Sequence, residues 1–396
     1  MRYLVASGAV DALGNNMAAV ALAFGVLQIG TTSDLGYVLL AREIPTVVLL
    51  LAGGVWADRV SRKTVLIVGD LAVGSAQATT AILFLTGDAT VWRVAVLQTI
   101  FGAAAAFTRP ATTGLIAEAV SHAHLQEANA LFDLSRSTLR VAGPALGGLI
   151  VVVGNAGWAL AADAATFFVM AALYLRLRIP AGERPPRSQI LHELREGWHE
   201  FAARTWLWTI VASFGLFQLT LFPALLVLGP TVAKYKLGGA GAWGLILAFQ
   251  GVGSIFGGLL ALHLRPRRPL VAASLLCIPI ALLLALLGAA APVPILCAAG
   301  VLSSLGLTCG DIIWFTTFQL EIPDHLMSRL SSFDWFGSVV LNPLGYLLIG
   351  PLANTLGLAT TLYLAAALNA TISVVVAATP AIRGIKRTPA VEPVTA

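Results

Sequence analysis

The stretch GGVWADRVSRK, residues 53–63, ends one apolar segment and leads into the next. The segments on its two sides, residues 34–57 and 64–86, are 24 and 23 residues long, and a helix needs about 20 apolar residues to cross a bilayer. Basic residues gather in the connection between them, as they do at the cytoplasmic surface of membrane proteins. The stretch therefore predicts two membrane-spanning helices joined by a short polar turn.

The rest of the chain follows the same pattern. Of its 396 residues, 58% are hydrophobic and only 11% are charged, whereas charged residues make up about 25% of an ordinary soluble domain. These values exclude a soluble enzyme, and the scattered basic residues exclude a dense nucleic-acid-binding face. Twelve apolar segments are predicted to span the membrane: residues 4–29, 34–57, 64–86, 91–112, 138–158, 159–178, 205–229, 240–263, 269–290, 293–316, 333–353 and 358–381.

The distribution of lysine and arginine predicts the orientation, since cytoplasmic loops keep the positive charge. With the N-terminus inside, 19 of the 24 basic residues lie on the cytoplasmic side, and only Arg93, Lys234 and Lys236 lie outside. We therefore expect a multi-pass protein of the cell inner (cytoplasmic) membrane with both termini cytoplasmic. The first segment contains Asp11 among its apolar residues, so it is predicted to be a retained helix and not a signal peptide.

The longest polar connection divides the twelve segments into six and six. It predicts an N-terminal half over 1–178, a cytoplasmic linker over 179–204, a C-terminal half over 205–382 and a cytoplasmic tail over 383–396. Within the linker, Leu191, Leu194, Trp198 and Phe201 recur at helical spacing. This spacing predicts an amphipathic helix that lies on the inner membrane surface or binds a partner.

An internal repeat supports the division into halves. The stretch GGLLALH, residues 257–263, aligns with GGVWADR, residues 53–59, at an offset of 204 residues. Each stretch ends the second predicted span of its half. Two six-helix repeats are typical of secondary transporters, whose sites form between the repeats near the middle of the membrane.

The stretch 53–63 resembles the signature between the second and third helices of the major facilitator superfamily, with Trp56 and Ser61 as departures from its usual form. Further stretches resemble the bacterial exporter branch that includes macrolide efflux pumps and enterobactin-type siderophore exporters. They are FTRPA at 107–111, DAATF at 163–167 and EIPDHLMSRLSS at 321–332. A fourth stretch, GPALGG at 143–148, resembles the end of the fifth-helix motif of drug:proton antiporters of the superfamily. The resemblance covers residues 3–381 and implies an all-α polytopic membrane fold with twelve transmembrane helices in two six-helix repeats.

The resemblance also implies a gating motif and a motif in the fifth helix. In the family, the acid at the position of Asp58 holds the inner gate shut by pairing with a nearby arginine and with the positive N-terminus of the eleventh helix. Anchoring by positive charge alone is the alternative for Arg62 and Lys63. The implied gating residues are Gly54, Asp58, Arg59, Arg62, Lys63 and Arg109, and the fifth-helix motif is Gly143, Pro144, Gly147 and Gly148.

Charged residues inside the apolar segments are candidates for proton coupling. Arg42 and Glu43 are predicted to lie about 12–14 Å deep in the second span, where an unpaired charge is costly. Adjacent helix residues point in different directions, so each needs its own partner, for which Asp11 and Asp70 are candidates. These three acids are the only ones placed well inside the N-terminal half. We expect these acids to take part in proton coupling or substrate contact; the alternative is that they form a buried structural ion pair.

The resemblance implies that the first, fourth, seventh and tenth spans line a substrate path. Asp311 is followed by aromatic residues, an arrangement that suits a lipophilic cation; the alternative is a helix-end acid bonded to backbone or water. The aromatic candidates could instead pack against lipid or neighbouring helices. The candidates for the substrate cavity are Asn15, Gln98, Phe101, Phe214, Phe217, Gln218, Asp311 and Trp314.

The residues and the resemblance together predict a proton-driven exporter of a small lipophilic compound, such as a drug, a natural product or a siderophore. The alternatives are an importer or facilitator of a small nutrient and, from another class, a transport-inactive sensor or an intramembrane enzyme. The chain carries no P-loop motif and no cysteines with metal-ligand spacing, so no cofactor is expected. The expected partners are a small-molecule substrate, protons and the lipid bilayer, with no nucleic acid, and the protein is expected to be a monomer.

Overall fold

The computed structural model describes residues 2–57, 61–119, 125–176 and 190–386. These ranges are almost entirely helical, and no β-strand occurs in them. The first six helices are α1 (Arg2–Ile29), α2 (Thr32–Ala57), α3 (Arg62–Thr86), α4 (Val91–Ala119), α5 (Leu125–Val153) and α6 (Ala156–Arg176). We refer to them as the first helix group.

A shorter helix, α7 (Ile190–Ala203), follows the first group. The remaining helices are α8 (Thr205–Pro223), α9 (Gly229–Val232), α10 (Ala240–His263), α11 (Pro269–Leu276), α12 (Ile278–Gly288), α13 (Val293–Glu321), α14 (Asp324–Val339), α15 (Asn342–Leu356), α16 (Leu358–Ala378) and α17 (Pro380–Gly384). We refer to α8–α17 as the second helix group. Two π-helical turns, Ala224–Leu228 and Ala233–Leu237, flank α9.

The all-α polytopic fold is confirmed, because each of the twelve predicted segments corresponds to helix in the structure. Ten helical stretches of the described residues are long and apolar enough to cross a membrane, and Thr138–Val153 of α5 is a shorter apolar helix. The helix α2 has 26 residues, enough to cross, and carries Arg42 and Glu43 near its middle. The protein is therefore a multi-pass membrane protein.

Several boundaries differ from the prediction; the eleventh predicted span, 333–353, for example, is divided between α14 and α15. The fifth and sixth spans meet at Gly154 and Asn155 and not at residue 158, because the Asn155 side chain accepts a hydrogen bond from the backbone N–H of Gly157 at 2.7 Å and starts α6. The ninth span is broken at Cys277 into α11 and α12. Pro279 lies just after this break, and its missing N–H cannot continue the ladder of helical hydrogen bonds.

Packing divides the helices into the two groups. In the first group, α3 packs against α4 and α6, α2 against α4, and α1 against α5 and α6. In the second group, α10 packs against α13, α12 against α16, and α8 against α14, α15 and α16. Between the groups, α5 packs against α10 and α2 packs against α15. We call these two contacts the α5–α10 seam and the α2–α15 seam.

Small residues of the fifth-helix motif allow the α5–α10 seam to close. A Cβ atom on Gly148 would lie 2.6 Å from the backbone oxygen of Ala240, and one on Gly244 would lie 2.5 Å from that of Pro144. Without side chains at these glycines, the two backbones touch directly, as small residues permit between membrane helices. The motif therefore serves close helix packing between the two groups.

The other two glycines of the motif face α1 and not α10. A Cβ atom on Gly143 would lie 2.5 Å from Cβ of Asn16, and one on Gly147 would lie 2.7 Å from the backbone oxygen of Met17. The motif thus packs α5 against two helices at once. This position fixes α1, which carries Asp11 and Asn15, against the wall of its own group.

The linker helix α7 packs against α14. Phe201 and Phe333 stack with ring centroids 5.6 Å apart, and Trp198 lies 5.8 Å from Phe333. Phe201 is buried, while Trp198 remains exposed. One face of the predicted amphipathic helix is thus covered by protein. The side chains of Leu191 and Leu194 lie outside the described residues.

Candidate functional site

A large cavity lies between the two helix groups. Its volume is about 1630 Å³, which exceeds the roughly 300–1,000 Å³ typical of pockets for drug-sized ligands. Most of its wall is apolar or aromatic. The charged residues that line it are Asp11, Arg42, Glu43, Asp70, Arg140, Asp311 and Asp334.

The cavity extends from the middle of the helices towards one end of the molecule. On α3, which runs from Arg62 to Thr86, its lining residues are Leu66, Asp70 and Val73, all in the half that begins at Arg62. The cavity therefore lies towards the end that the basic residues assign to the cytoplasm.

The two helix groups are in contact at the opposite end. The Lys234 ammonium donates a hydrogen bond to the backbone oxygen of Leu27, and the Asn354 amide donates to the Ser33 hydroxyl at 3.0 Å. Leu27 lies near the end of α1 and Ser33 near the start of α2, so both contacts join the two helix groups at the end opposite to the start of α3.

One set of charged residues lies on the first helix group. We call Asp11, Arg42, Glu43 and Asp70 the N-terminal cluster. The Asn15 amide donates to Oδ1 of Asp11 at 2.6 Å, one helical turn away. Asp70 is 3% exposed, lies close enough to Asp11 for the two charges to interact, and has no hydrogen-bond partner for Oδ2 among the described residues. The three predicted coupling acids thus share one wall of the cavity.

Arg42 is held by an aromatic face. Its guanidinium carbon lies 3.6 Å from the centre of the Phe101 ring, a cation–π distance. Phe101 in turn packs edge-to-face against Phe167, with centroids 5.8 Å apart. Phe101 therefore both lines the cavity and supports Arg42. Glu43 is half-buried on the neighbouring face, where its charge acts on Tyr346 of α15.

A second set of charged residues lies mainly on the second helix group. We call Asp311, Asp334, Trp314 and Arg140 the C-terminal cluster, although Arg140 belongs to α5. The Trp314 side chain hydrogen-bonds to Asp334, whose charge also interacts with that of Asp311. The charge of Arg140 acts on Asp311, and its guanidinium lies 3.5 Å from the Ser254 hydroxyl. The C-terminal cluster therefore contains two acids and one arginine.

The helix-end interpretation of Asp311 is wrong. The helix α13 continues to Glu321, ten residues beyond Asp311, so this acid lies within the helix and cannot cap its end. Its side chain is exposed and lines the cavity. Asp311 is therefore accessible to a molecule in the cavity.

The predicted residues of the seventh span also line the cavity. Phe214 and Phe217 stack with centroids 6.0 Å apart and planes at 9°. The Gln218 amide donates to the backbone oxygen of Ser338 on α14 at 3.3 Å. These side chains form an apolar wall with one amide, opposite the charged wall of the first helix group.

Gln98 does not line the cavity, contrary to the prediction. It is buried, and its amide donates to the side-chain oxygen of Gln77 at 3.1 Å. The Gln77 amide donates in turn to Oδ2 of Asp163 at 2.6 Å. Gln98 points away from the cavity because α4 packs this face against α3.

The sequence analysis missed Asp163 as an acid inside the N-terminal half. It lies eight residues into α6 and is 0% exposed, so Asp11, Glu43 and Asp70 are not the only interior acids of this half. An isolated aspartate in an otherwise apolar span was the signal that could have found it.

The gating motif is only partly described. Gly54 lies near the end of α2, Arg62 begins α3 and Arg109 lies in α4, but the side chains of these residues, and all of Asp58 and Arg59, are outside the described residues. The Lys63 ammonium donates to the backbone oxygen of Leu175 at 3.0 Å, which ties α3 to the end of α6. The predicted latch between Asp58 and Arg109 therefore lies outside the described residues.

The described residues offer no evident metal site. No group of three or more histidine, cysteine, aspartate or glutamate side chains is placed to hold a metal ion within these ranges. Cys277, Cys297 and Cys309 are free thiols. The chemistry of the cavity therefore rests on carboxylates, guanidinium groups and aromatic rings.

A polytopic helical fold with a large cavity between two helix groups is typical of membrane transporters. Residues 4–344 match the Major Facilitator Superfamily, and the chain belongs to this family. It is therefore a transporter and not an enzyme.

Relatives and solved structures agree with this assignment. The chain is 25% identical over 370 residues to the multidrug efflux pump Tap of Mycolicibacterium fortuitum, covering 88% of each chain. It is 27% identical over 382 residues to the pump of that name from Mycobacterium tuberculosis (strain ATCC 25618 / H37Rv), covering 90% of this chain and 87% of the relative.

Two solved structures share the fold at low identity. The nucleoside transporter NupG has a TM-score of 0.75 and 14% identity, with 95% of this chain and 98% of that chain covered. A bacterial homologue of the iron transporter ferroportin, in an inward-facing state, has a TM-score of 0.71 and 16% identity, with 96% and 98% covered. At these identities the likeness establishes the fold alone.

Proposed function

We propose that this transporter exports small lipophilic compounds in exchange for protons by alternating access. The cavity carries the proposal, because it combines aromatic walls with a few acids and lies between two helix groups that touch at one end. The relatives named as multidrug efflux pumps support export.

The two halves of the transporter, residues 1–178 and 205–382, move against each other in this proposal. Residues 179–204 link them on the cytoplasmic side, and residues 383–396 form a cytoplasmic tail. With both termini inside, the cavity opens to the cytoplasm, and the contacts of Lys234 and Asn354 close the outer end. A substrate then enters from the cytoplasm or the inner leaflet.

The two clusters have different roles, proton exchange and substrate binding. Glu43, Asp11 and Asp70 take up and release protons, because they are the carboxyl groups that the first helix group presents to the cavity. Asp311 and Asp334 outnumber Arg140 in the C-terminal cluster, and Trp314 and Phe315 lie beside them on the cavity wall. Excess negative charge beside aromatic rings favours an organic cation.

The gating motif controls the inner end. Asp58 pairs with Arg109 or with the N-terminal part of α14 when the inner gate is shut, and Arg59, Arg62 and Lys63 surround this contact. A change of Asp58 to asparagine keeps the volume and removes the charge. We expect this variant to insert normally and to lose most transport.

Transport by everted membrane vesicles tests the proposal. In these vesicles the cytoplasmic face is outside and respiration acidifies the interior, so a proton-driven exporter accumulates its substrate inside. The probes are ethidium, a lipophilic cation, and an uncharged lipophilic dye. We expect accumulation of at least one probe that a protonophore abolishes, and none in vesicles that lack the protein or contain Asp58→Asn.

Two results would contradict the proposal. Gradient-driven accumulation in right-side-out vesicles, but not in everted ones, would identify an importer. Accumulation or efflux that ignores the pH gradient would exclude proton exchange as the driving force.

A further inference from the structure

A buried hydrogen-bonded chain lies behind the cavity wall and takes no part in the function proposed above. It consists of Gln98 on α4, Gln77 on α3 and Asp163 on α6, with donor–acceptor distances of 3.1 and 2.6 Å. None of the three residues lines the cavity. The chain ties three helices of the first group together and ends on a carboxyl group that is 0% exposed.

One oxygen of this carboxyl group is covered by α1. Oδ1 of Asp163 has no hydrogen-bond partner among the described residues. A Cβ atom on Gly14 would lie 2.5 Å from it, so the backbone of α1 passes directly over this oxygen. The hydroxyl of Thr166 also lies nearby but donates to the backbone oxygen of Asp163 at 2.7 Å.

The charges around Asp163 come from several helices. Arg42 on α2 and Asp11 on α1 are close enough to act on its carboxyl group. Asp70 on α3 interacts with Asp11, and Arg140 on α5 acts on Asp311.

Among the described residues, Arg42 is the cation whose charge acts on Asp163. The guanidinium of Arg42 lies over the Phe101 ring, on the cavity side. An ionised carboxylate at this position would keep one oxygen buried without a donor, which is costly. A proton on that oxygen removes the cost.

Asp163 differs in access from the acids of the N-terminal cluster. Asp11, Glu43 and Asp70 line the cavity and can exchange protons with its water directly. Asp163 can do so only when the backbone at Gly14 moves away. Protonation of a cavity acid reports the pH of the cavity, whereas protonation of Asp163 depends on the position of α1.

The helix α1 is weakened at this point. Glycine lowers helix stability relative to alanine, so Gly14 weakens α1 locally. The next two side chains bond within the helix, Asn15 to Asp11 and Asn16 to the backbone oxygen of Ala12. Side chains that compete for backbone groups favour local bending. A displacement of α1 at Gly14 is therefore the movement that would uncover Asp163.

We propose that Asp163 takes part directly in proton coupling: it holds a proton on Oδ1 while α1 covers it and releases that proton when α1 moves away. In the release step the O–H bond of Asp163 breaks, the electron pair stays on Oδ1 and the proton passes to water in the cavity. The Gln77 amide and the charge of Arg42 then stabilise the carboxylate. The proposal rests on the proton-driven transport proposed above.

The change Asp163→Asn tests it, because asparagine keeps the size and the acceptor for Gln77 but cannot titrate. We expect gradient-driven transport to fall at least tenfold and its dependence on pH to flatten, while exchange of labelled for unlabelled probe continues. The matched control is Asp88→Asn, an exposed acid between α3 and α4, which should behave as wild type.

An infrared pH titration of the purified protein gives a readout independent of transport. Near neutral pH, we expect the carbonyl band of protonated carboxyl groups to lose one group's intensity in Asp163→Asn and none in Asp88→Asn. An unchanged band, or full gradient-driven transport by Asp163→Asn, would overturn the proposal. Wild-type transport that ignores the gradient would instead defeat the proposed function, and the infrared titration would still decide whether Asp163 holds a proton.

A second variant keeps the test valid if Asp163→Asn does not fold. Gln77→Ala removes the donor that stabilises the ionised form, so the infrared band of Asp163 should persist to higher pH. Gln250→Ala, which removes a buried amide of the second helix group, is the control and should leave the titration unchanged. An equal titration in Gln77→Ala and wild type would overturn the assignment to Asp163.

Discussion

The two charged clusters of the cavity hold their acids in different ways. In the N-terminal cluster, Asp70 lines the cavity with only 3% of its surface exposed, and one of its oxygens lacks a partner among the described residues. In the C-terminal cluster, Asp311 is open to the cavity, and Trp314 and Arg140 lie around it. A carboxyl group with little exposed surface can exchange a proton but cannot contact a larger ligand. An exposed carboxyl group beside aromatic rings can also bind an organic cation. The comparison suggests that one wall handles protons and the other handles substrate.

The largest expected effect is that of Asp70→Asn on transport. Loss of a proton-exchanging carboxyl group should slow gradient-driven transport of every substrate by about tenfold or more, which corresponds to about 1.4 kcal/mol in the barrier. Initial rates for ethidium and for an uncharged lipophilic dye in energised vesicles measure this effect. If Asp70→Asn slowed only the cation, the distinction between the two walls would fail.

The change Asp311→Asn should act selectively. Removal of a carboxylate beside aromatic rings is expected to weaken binding of a lipophilic cation by about 1–2 kcal/mol, a factor of roughly 5–30 in KM. The uncharged dye should be transported as by wild type. Equal losses for both probes would place Asp311 in coupling and not in substrate binding.

Gly14 of the first helix group and Gly258 of the second should differ in their tolerance of a methyl group. Gly14→Ala places a Cβ atom against Asp163 and Thr166, whereas Gly258→Ala meets nothing within 4 Å. Overpacking costs about 1–3 kcal/mol, so Gly14→Ala should lower the thermal unfolding temperature and Gly258→Ala should not. Thermal unfolding in detergent measures both, and equal stability would mean that α1 adjusts freely.

The smallest expected effect is that of replacing an arginine by lysine. Arg42 lies over Phe101, and lysine cannot reproduce the stacking of a planar guanidinium. We expect Arg42→Lys to reduce the free energy of unfolding by about 0.5–1 kcal/mol. Arg140→Lys, which loses a 3.5 Å contact to Ser254, should change it less. A larger loss from Arg140→Lys would reverse this ranking of the two clusters.

Sequence reasoning located most cavity residues but not their neighbours. Asp11, Glu43 and Asp70 were predicted from their depth in apolar spans, and the structure places all three on one wall. Gln98 was assigned to the cavity because α4 was expected to line it, yet it faces Gln77. The place of a span in the order of helices does not predict which of its faces lines the cavity. Packing against α3 determines the rotation of α4 about its axis.

The distinction between open and covered acids also depended on packing. Asp70 and Asp163 are both single aspartates within apolar spans. The backbone of α1 passes over Asp163 at Gly14, a contact between residues about 150 positions apart in the chain. No local pattern of hydrophobic and polar residues predicts such a contact.

The sequence by itself determined the fold class, the order of the apolar segments and the family. The length of each apolar stretch and the position of each charge are local properties, and the bilayer acts on them directly. Only the tertiary structure decided that Asp311 is open, that Gln98 is buried and that Asp163 lies behind α1. These outcomes depend on which helix faces meet, and glycines such as Gly14 and Gly148 determine how closely the backbones approach.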